Sequence, residues 1–131
     1  MKTGYGWFAP IVRVDIFSDI ICPWCYLGRA RFQQAAAAFD GSVEVTWRPF
    51  QLDPDAPATP ESATERLAAK FGGHTRVAAM HERMRGLTLA AGLPYEPDRA
   101  LRGNTRDAHR LIWWAGREGG QDAVVERLFR A

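Results

Sequence analysis

Residues 11–17, IVRVDIF, alternate two apolar faces: Val12, Val14 and Ile16 on one side, Ile11 and Phe17 on the other. β-Branched and aromatic residues on both faces predict a strand buried on both sides, with Arg13 and Asp15 as the exceptions. After a short turn over residues 18–21 the texture changes. The run PWCYLGRARFQQAAAAFD is dominated by strong helix formers, and Pro23 suits the first helical position, where a missing N–H costs nothing. A helix is expected from Pro23 to about Phe39, stopped at Asp40-Gly41 with Gly41 in the left-handed conformation. Residues 42–48 then alternate cleanly, with Val43, Val45 and Trp47 opposite Glu44 and Thr46, the pattern of a half-buried strand. Strand, helix and strand with short joins make a βαβ unit, whose strands must run parallel with a right-handed crossover.

Beyond Arg48 the pattern is no longer strand-like. Residues 49–60 hold four of the eight prolines (Pro49, Pro54, Pro57 and Pro60) and read as a stiff connector. Ser62 and Glu65 form a capping box that opens a helix to about Phe71, ended by Gly72-Gly73. A second helix is expected over residues 75–91, with Val77, Met80, Met84 and Leu87 as its apolar stripe and Gly92 as its stop. The two methionines there suit core filling. Residues 94–103 read as a loop. Asn104 or Thr105 caps a third helix through about Arg117, carrying Ala108, Leu111, Ile112 and Ala115. Gly119-Gly120 breaks it, and a last helix starts near Gln121. Trp113 and Trp114 are adjacent, so one helix face cannot bury both, and at least one is expected to meet another element. The chain thus divides into a tail (1–10), a βαβ unit (11–54) and a helical part (55–131).

Composition narrows the classes. A chain of 131 residues that is 47% hydrophobic and 24% charged has the balance of one globular domain. Its formal charge of +2 is scattered, with no Lys/Arg run of the kind that binds nucleic acid or a membrane surface. No stretch approaches the roughly 20 apolar residues that a membrane span needs. The first apolar stretch is broken by Gly and Pro and ends at Arg13, unlike a secretory leader, so a cytoplasmic location with reduced thiols is expected. Two cysteines are too few for a disulfide scaffold or an all-Cys zinc site. The three histidines, His74, His81 and His109, do not pair at finger spacing, and no metal is expected.

Those cysteines carry the chemistry. Cys22 and Cys25 form a C-x-x-C pair at the start of a predicted helix, directly after a strand. Free N–H groups and the partial positive charge of a helix N-terminus favour thiolate at Cys22. A residue three positions on is one helical turn away, within disulfide reach. Cys22 is therefore the expected nucleophile and Cys25 the thiol that resolves the mixed disulfide. Pro23 and Trp24 between them tune the balance. Asp19 is read either as a proton acceptor near Cys25 or as a turn residue. Two structural cysteines, or half of a zinc site, would be the plainer reading, and the βαβ setting favours redox chemistry over both.

The run from Ser18 to Gly28, SDIICPWCYLG, resembles the active-site signature of DsbA-family thiol–disulfide oxidoreductases, in the branch called FrnE. Residues 45–54, VTWRPFQLDP, and 104–111, NTRDAHRL, resemble the same branch, in the same order. The branch is similar to 2-hydroxychromene-2-carboxylate isomerases and kappa-class glutathione transferases, which typically carry Ser at the first Cys position. Cys22 thus favours disulfide exchange over glutathione-dependent isomerisation or transfer. The resemblance implies an α/β fold: a thioredoxin-like βαβ unit followed by an all-helical insertion domain. It implies no required cofactor, glutathione as a candidate co-substrate, and a protein or small-molecule thiol or disulfide as partner. It places Asn104 and His109 at the active-site cleft, whereas on the residues alone they read as an N-cap and a helix-surface histidine. Tyr26, beside the cysteines, and Arg48, at the exit of the second strand, are the other candidate substrate or glutathione contacts. Family members return to the thioredoxin fold with further strands and a cis-proline facing the Cys pair. None of Pro49, Pro54, Pro57, Pro60, Pro94 or Pro97 matches that place. The chain therefore resembles roughly the first three-fifths of a member and is expected to be truncated, with an incomplete thioredoxin fold. Two strands alone leave the edge of residues 11–17 unpaired, which makes a self-associating, inert fragment a further expectation.

Overall fold

A computed structural model describes residues 9–131, and the first eight residues of the expected tail lie outside it. Strand β1 (Ile11–Ser18) leads through a tight turn into helix α1 (Pro23–Ala37), and β2 (Ser42–Pro49) follows. The two strands pair in parallel, in unbroken register from Ile11 opposite Ser42 to Ser18 opposite Pro49. The βαβ unit is therefore as the alternation of apolar residues predicts.

Two details differ. Helix α1 ends at Ala37, and its cap, Ala38, keeps a right-handed backbone (φ −87°). Gly41 is not left-handed. It is needed for a close approach instead: a Cβ there would fall 2.4 Å from the Pro10 carbonyl oxygen and 2.5 Å from the Phe39 ring. That contact lets the Ser42 N–H donate to Pro10 O at 2.9 Å and start β2 in register. The second difference is burial. Strand β1 is not covered on both sides: Ile11 is 62% exposed and Phe17 67%. The sheet has two strands, so the outer edge of β1 has no partner among the described residues, and the helices pack mainly on one face.

The helical part begins with β3 (Glu61–Ser62) and α2 (Ala63–Phe71). Half of the capping box forms, Ser62 Oγ accepting from the Glu65 N–H at 3.4 Å, while the Glu65 carboxylate meets His74 Nε2 at 2.9 Å; Gly72 closes the helix at φ 87°. Helix α3 (His74–Ala90) follows. Its buried stripe is Val77, His81, Met84 and Thr88. Met80 lies beside it and is exposed. His81 and Thr88 are absent from the apolar pattern because they are polar; Thr88 is buried with its hydroxyl donating to Met84 O at 2.8 Å. Residues 94–103 are not a plain loop. They contain a 3-10 turn (Pro97–Arg99) and β4 (Leu101–Arg102), which pairs antiparallel with β3. Two residues per strand are too few to show a period.

Helices α4 (Arg106–Glu118) and α5 (Gln121–Arg130) return to the sheet. Ile112 and Val125 pack with Trp47 of β2 to form the core, joined by Ile16, Ile20, Val45, Leu128 and Phe129. Polar contacts fix the join. Gln121 Oε1 accepts from the Trp47 N–H at 2.8 Å and its Nε2 donates to Trp47 O at 3.2 Å, so this side chain pairs with β2 as a neighbouring strand would. Buried Arg29 of α1 donates to Asp122 at 2.9 Å, and Asp122 also accepts from the Trp47 indole at 3.3 Å. Trp113 and Trp114 are both exposed, contrary to expectation; Trp113 lies under the Arg117 guanidinium instead. Among the described residues no helix is long and apolar enough to cross a membrane.

Candidate active site

Cys22 occupies the N-cap of α1 with an extended backbone, and Pro23 takes the first helical position. The Cys22 N–H donates to Asp19 O at 3.1 Å, and Cys22 O accepts from the Tyr26 N–H at 3.1 Å. The turn and the first helical bond thus hold the Cys22 backbone from both sides. Both cysteines are free thiols and partly buried.

Their environments push the two sulfurs apart. The Cys25 thiol donates toward Cys22, and this outweighs the cost of burial. The amides of Cys25 and Trp24 add their positive ends, near enough to act electrostatically without being aligned as capping hydrogen bonds. The Asp19 charge opposes them, and the Cys22 thiol settles at about 6. Cys25 goes the opposite way. Donation to Cys22 and burial push its thiol up, aided by the Cys22 and Asp19 charges and opposed only by the Asp19 N–H. At neutral pH one sulfur is a thiolate and the other holds its proton.

Beneath the pair lies a fully buried carboxylate. Asp19 Oδ1 faces His109 Nε2 at 3.1 Å, and Oδ2 accepts from the Leu52 N–H at 2.8 Å. Burial raises its pKa, but the bonds from His109, Leu52 and Thr105 prevail, and the carboxyl is held below the usual range. A carboxylate held this way is a weak base. Its position suits a hub joining the β1–α1 turn, the connector and α4 better than a proton acceptor for Cys25.

Residues 13–131 match the DSBA-like thioredoxin domain. The chain belongs to that family. The crystal structure of a probable DsbA oxidoreductase from Streptomyces coelicolor superposes with a TM-score of 0.82 at 39% identity, covering 90% of this chain and 52% of that one. The uncharacterized protein YwbO of Bacillus subtilis (strain 168) is 44% identical over 43 residues, which are 33% of this chain and 20% of YwbO. The chain therefore spans about half of the solved relative and less of the curated one. The fold is the DsbA-like thioredoxin fold, and the few strands and five helices of the described residues are consistent with a helical insertion.

Within this DsbA-like domain the remaining candidates fall at different places. Trp24 and Tyr26 sit on the first turn of α1 beside the cysteines. Tyr26 stacks on Phe129 of α5, ring centroids 5.8 Å apart, and its buried hydroxyl meets no protein partner. Arg48 ties the two strands together, donating to Asp15 at 2.8 Å on the exposed surface. The Asn104 side chain organises the connector: its Oδ1 accepts from Gln51 and from the Arg106 N–H, and its Nδ2 donates to Pro54 O and Ala56 O. The cap of α4 is Thr105. His109 is not a surface histidine; it is buried against Asp19. No cluster of three or more His, Cys, Asp or Glu among the described residues could hold a metal. Sequence reasoning missed Leu52 and Thr105 as Asp19 partners, and Arg83, whose guanidinium lies 5.5 Å from the centroid of the Trp24 ring. Each of these contacts joins residues far apart in sequence, so no local pattern announces it.

Proposed function

We propose that this chain carries the dithiol centre of a thiol–disulfide oxidoreductase of the FrnE type, with Cys22 as nucleophile and Cys25 as resolving thiol. The observation that carries the reading is the opposite displacement of the two thiols at one helix N-terminus. In the reducing direction the Cys22 thiolate attacks one sulfur of a substrate disulfide, forming a mixed disulfide and releasing one substrate thiolate. Cys25 then attacks the Cys22 sulfur. The intramolecular disulfide closes, the second substrate sulfur leaves, and the Cys25 proton ends on a released thiolate. Two electrons pass from the dithiol to the substrate. The reverse sequence oxidises a substrate dithiol.

The pKa of Cys22 argues for the oxidising direction. A thiol at about 6 is about 90% ionised at pH 7, against about 3% for an ordinary thiol near 8.5. Intrinsic nucleophilicity falls as the pKa falls, by about tenfold over this interval, so the net gain in attack rate is only about threefold. The larger effect is on leaving. A stabilised Cys22 thiolate is a good leaving group from its own disulfides, and a stabilised dithiol makes the disulfide form an oxidant. The substrates are then protein or small-molecule thiols, with no metal or resident cofactor and with glutathione disulfide able to reoxidise the dithiol, releasing two glutathione thiols. The open edge of β1 is a site for a further strand, from a second copy or another segment.

Oxidation of reduced ribonuclease by one equivalent of the oxidised chain tests this. Wild type should transfer its disulfide. Cys22→Ser should be inert, and reduced Cys25→Ser, treated with a substrate disulfide, should accumulate a mixed disulfide visible by intact mass. Equal transfer by wild type and Cys22→Ser would reject the mechanism.

A further inference from the structure

We propose that Arg83 is a specificity-determining residue that favours disulfides and thiols carrying a carboxylate near the reacting sulfur. The inference deepens the oxidoreductase reading and rests on it. Trp24 stands between the two cysteines and is 49% exposed, so its ring forms part of the surface that an incoming substrate meets beside Cys22. Arg83 reaches over that ring from α3. Contact with the ring face holds the guanidinium in place while leaving its edge donors open, and those donors match the planar fork of a carboxylate.

The surrounding charges leave this guanidinium unopposed. Among the described residues Arg83 has no carboxylate within ion-pair distance. Its helix neighbour Glu82 pairs with Arg85, and Arg85 pairs with Asp98. Asp19, behind the cysteines, is buried and bonded to His109 and Leu52. Arg76 and Met80 lie two turns and one turn earlier on the same face of α3, both exposed, and Arg76 is also without an ion pair. The approach to Cys22 from α3 is thus cationic and partly apolar. The plain alternative is a solvated arginine covering a tryptophan, with no effect on substrate choice.

Three small disulfides of different charge, each compared between wild type and variant, separate the readings: anionic dithiobis(nitrobenzoate), neutral dithiodipyridine and cationic cystamine. Each oxidant accepts two electrons from the reduced chain, through a mixed disulfide at Cys22. A unit charge 4–6 Å away in water changes a rate by roughly three- to fivefold. Arg83→Ala should therefore slow the anionic reagent about three- to fivefold relative to the neutral one, and speed the cationic one. Arg83→Lys should restore most of the preference and Arg83→Glu should invert it, and added salt should flatten all of these differences. The pH inflection of Cys22 should stay where it is in each variant. An unchanged anionic-to-neutral ratio in Arg83→Ala, or an equal fall with all three reagents, would overturn the inference while leaving the dithiol reading intact. A wild-type rate toward the neutral reagent no faster than that of an ordinary thiol would overturn the reading beneath it, and the inference with it.

Discussion

At the scale of single residues, the site depends on three charges at close quarters: the Cys22 thiolate, the Asp19 carboxylate, and the partial charge of the α1 N-terminus. Asp19 raises both thiols, so its negative charge works against the thiolate that the helix favours. Asp19→Asn should therefore move the Cys22 inflection below about 6, measured by ultraviolet thiolate absorbance. The same change weakens the bonds to His109 and Leu52 and should cost about 1–3 kcal/mol in a urea titration. An inflection that rises would mean that Asp19 acts as a base. The cysteines and Pro23 were legible because helix capping is local: their roles follow from position at a strand–helix junction. The Asp19–His109 contact was not, because its partners are 90 residues apart and no local pattern pairs them. Arg83 was hidden for the same reason. A polar residue on a helix face reads as solvated until the element facing it is known.

Elements are held together here by side chains that imitate backbone. Gln121 bonds both the N–H and the C=O of Trp47, and Gly116 leaves room for it, since a Cβ there would lie 2.9 Å from Gln121 Nε2. Gln121→Ala should lower stability by about 1–3 kcal/mol in denaturant, because it leaves Trp47 backbone groups without partners. Its effect on the Cys22 inflection should be small, as it touches β2 and not α1. A large shift in that inflection would show that α5 positions the thiol pair. The order of strands and helices was legible from periodicity, and the ends of α2 and α4 and the start of α5 from their glycines. The missed elements were those without a period. Strands β3 and β4 have two residues each, and their pairing is fixed by tertiary contacts. Arg66, paired with Asp53 at 2.6 Å, also reaches Glu61 of β3 at 3.4 Å, and Asp53 lies 3.9 Å from Arg102 of β4.

For the whole molecule, burial sets the response to acid. His81 sits in the buried stripe of α3, where burial lowers its pKa, with Asp98 pulling it back up and Arg85 adding to the fall. The unfolded chain then takes up a proton before the folded one as pH falls. Stability contributed by neutral His81 is complete above about pH 6.5 and declines below it, until the folded-state value is reached. Asp19 acts in the same direction at lower pH, because its carboxyl is held below the usual range. The Cys22 thiolate contributes a decline of its own above about 6, so the test uses a Cys22→Ser background: urea titrations there should show stability decreasing from pH 7 toward 5, and adding His81→Gln should flatten the upper part of that decline. A slope that His81→Gln leaves unchanged would place the effect elsewhere. The overall architecture was legible, except that β1 was read as buried on both faces. Apolar composition reports a capacity for burial, and here only one face and one edge of the sheet are occupied. The central claim concerns the thiol pair itself, and the most direct test is the pH dependence of Cys22 alkylation by iodoacetamide in the reduced chain, followed by peptide mass. An inflection near 6, with Cys25 unreactive across the neutral range, is the predicted result. An inflection near 8.5, or equal labelling of both cysteines, would contradict the account.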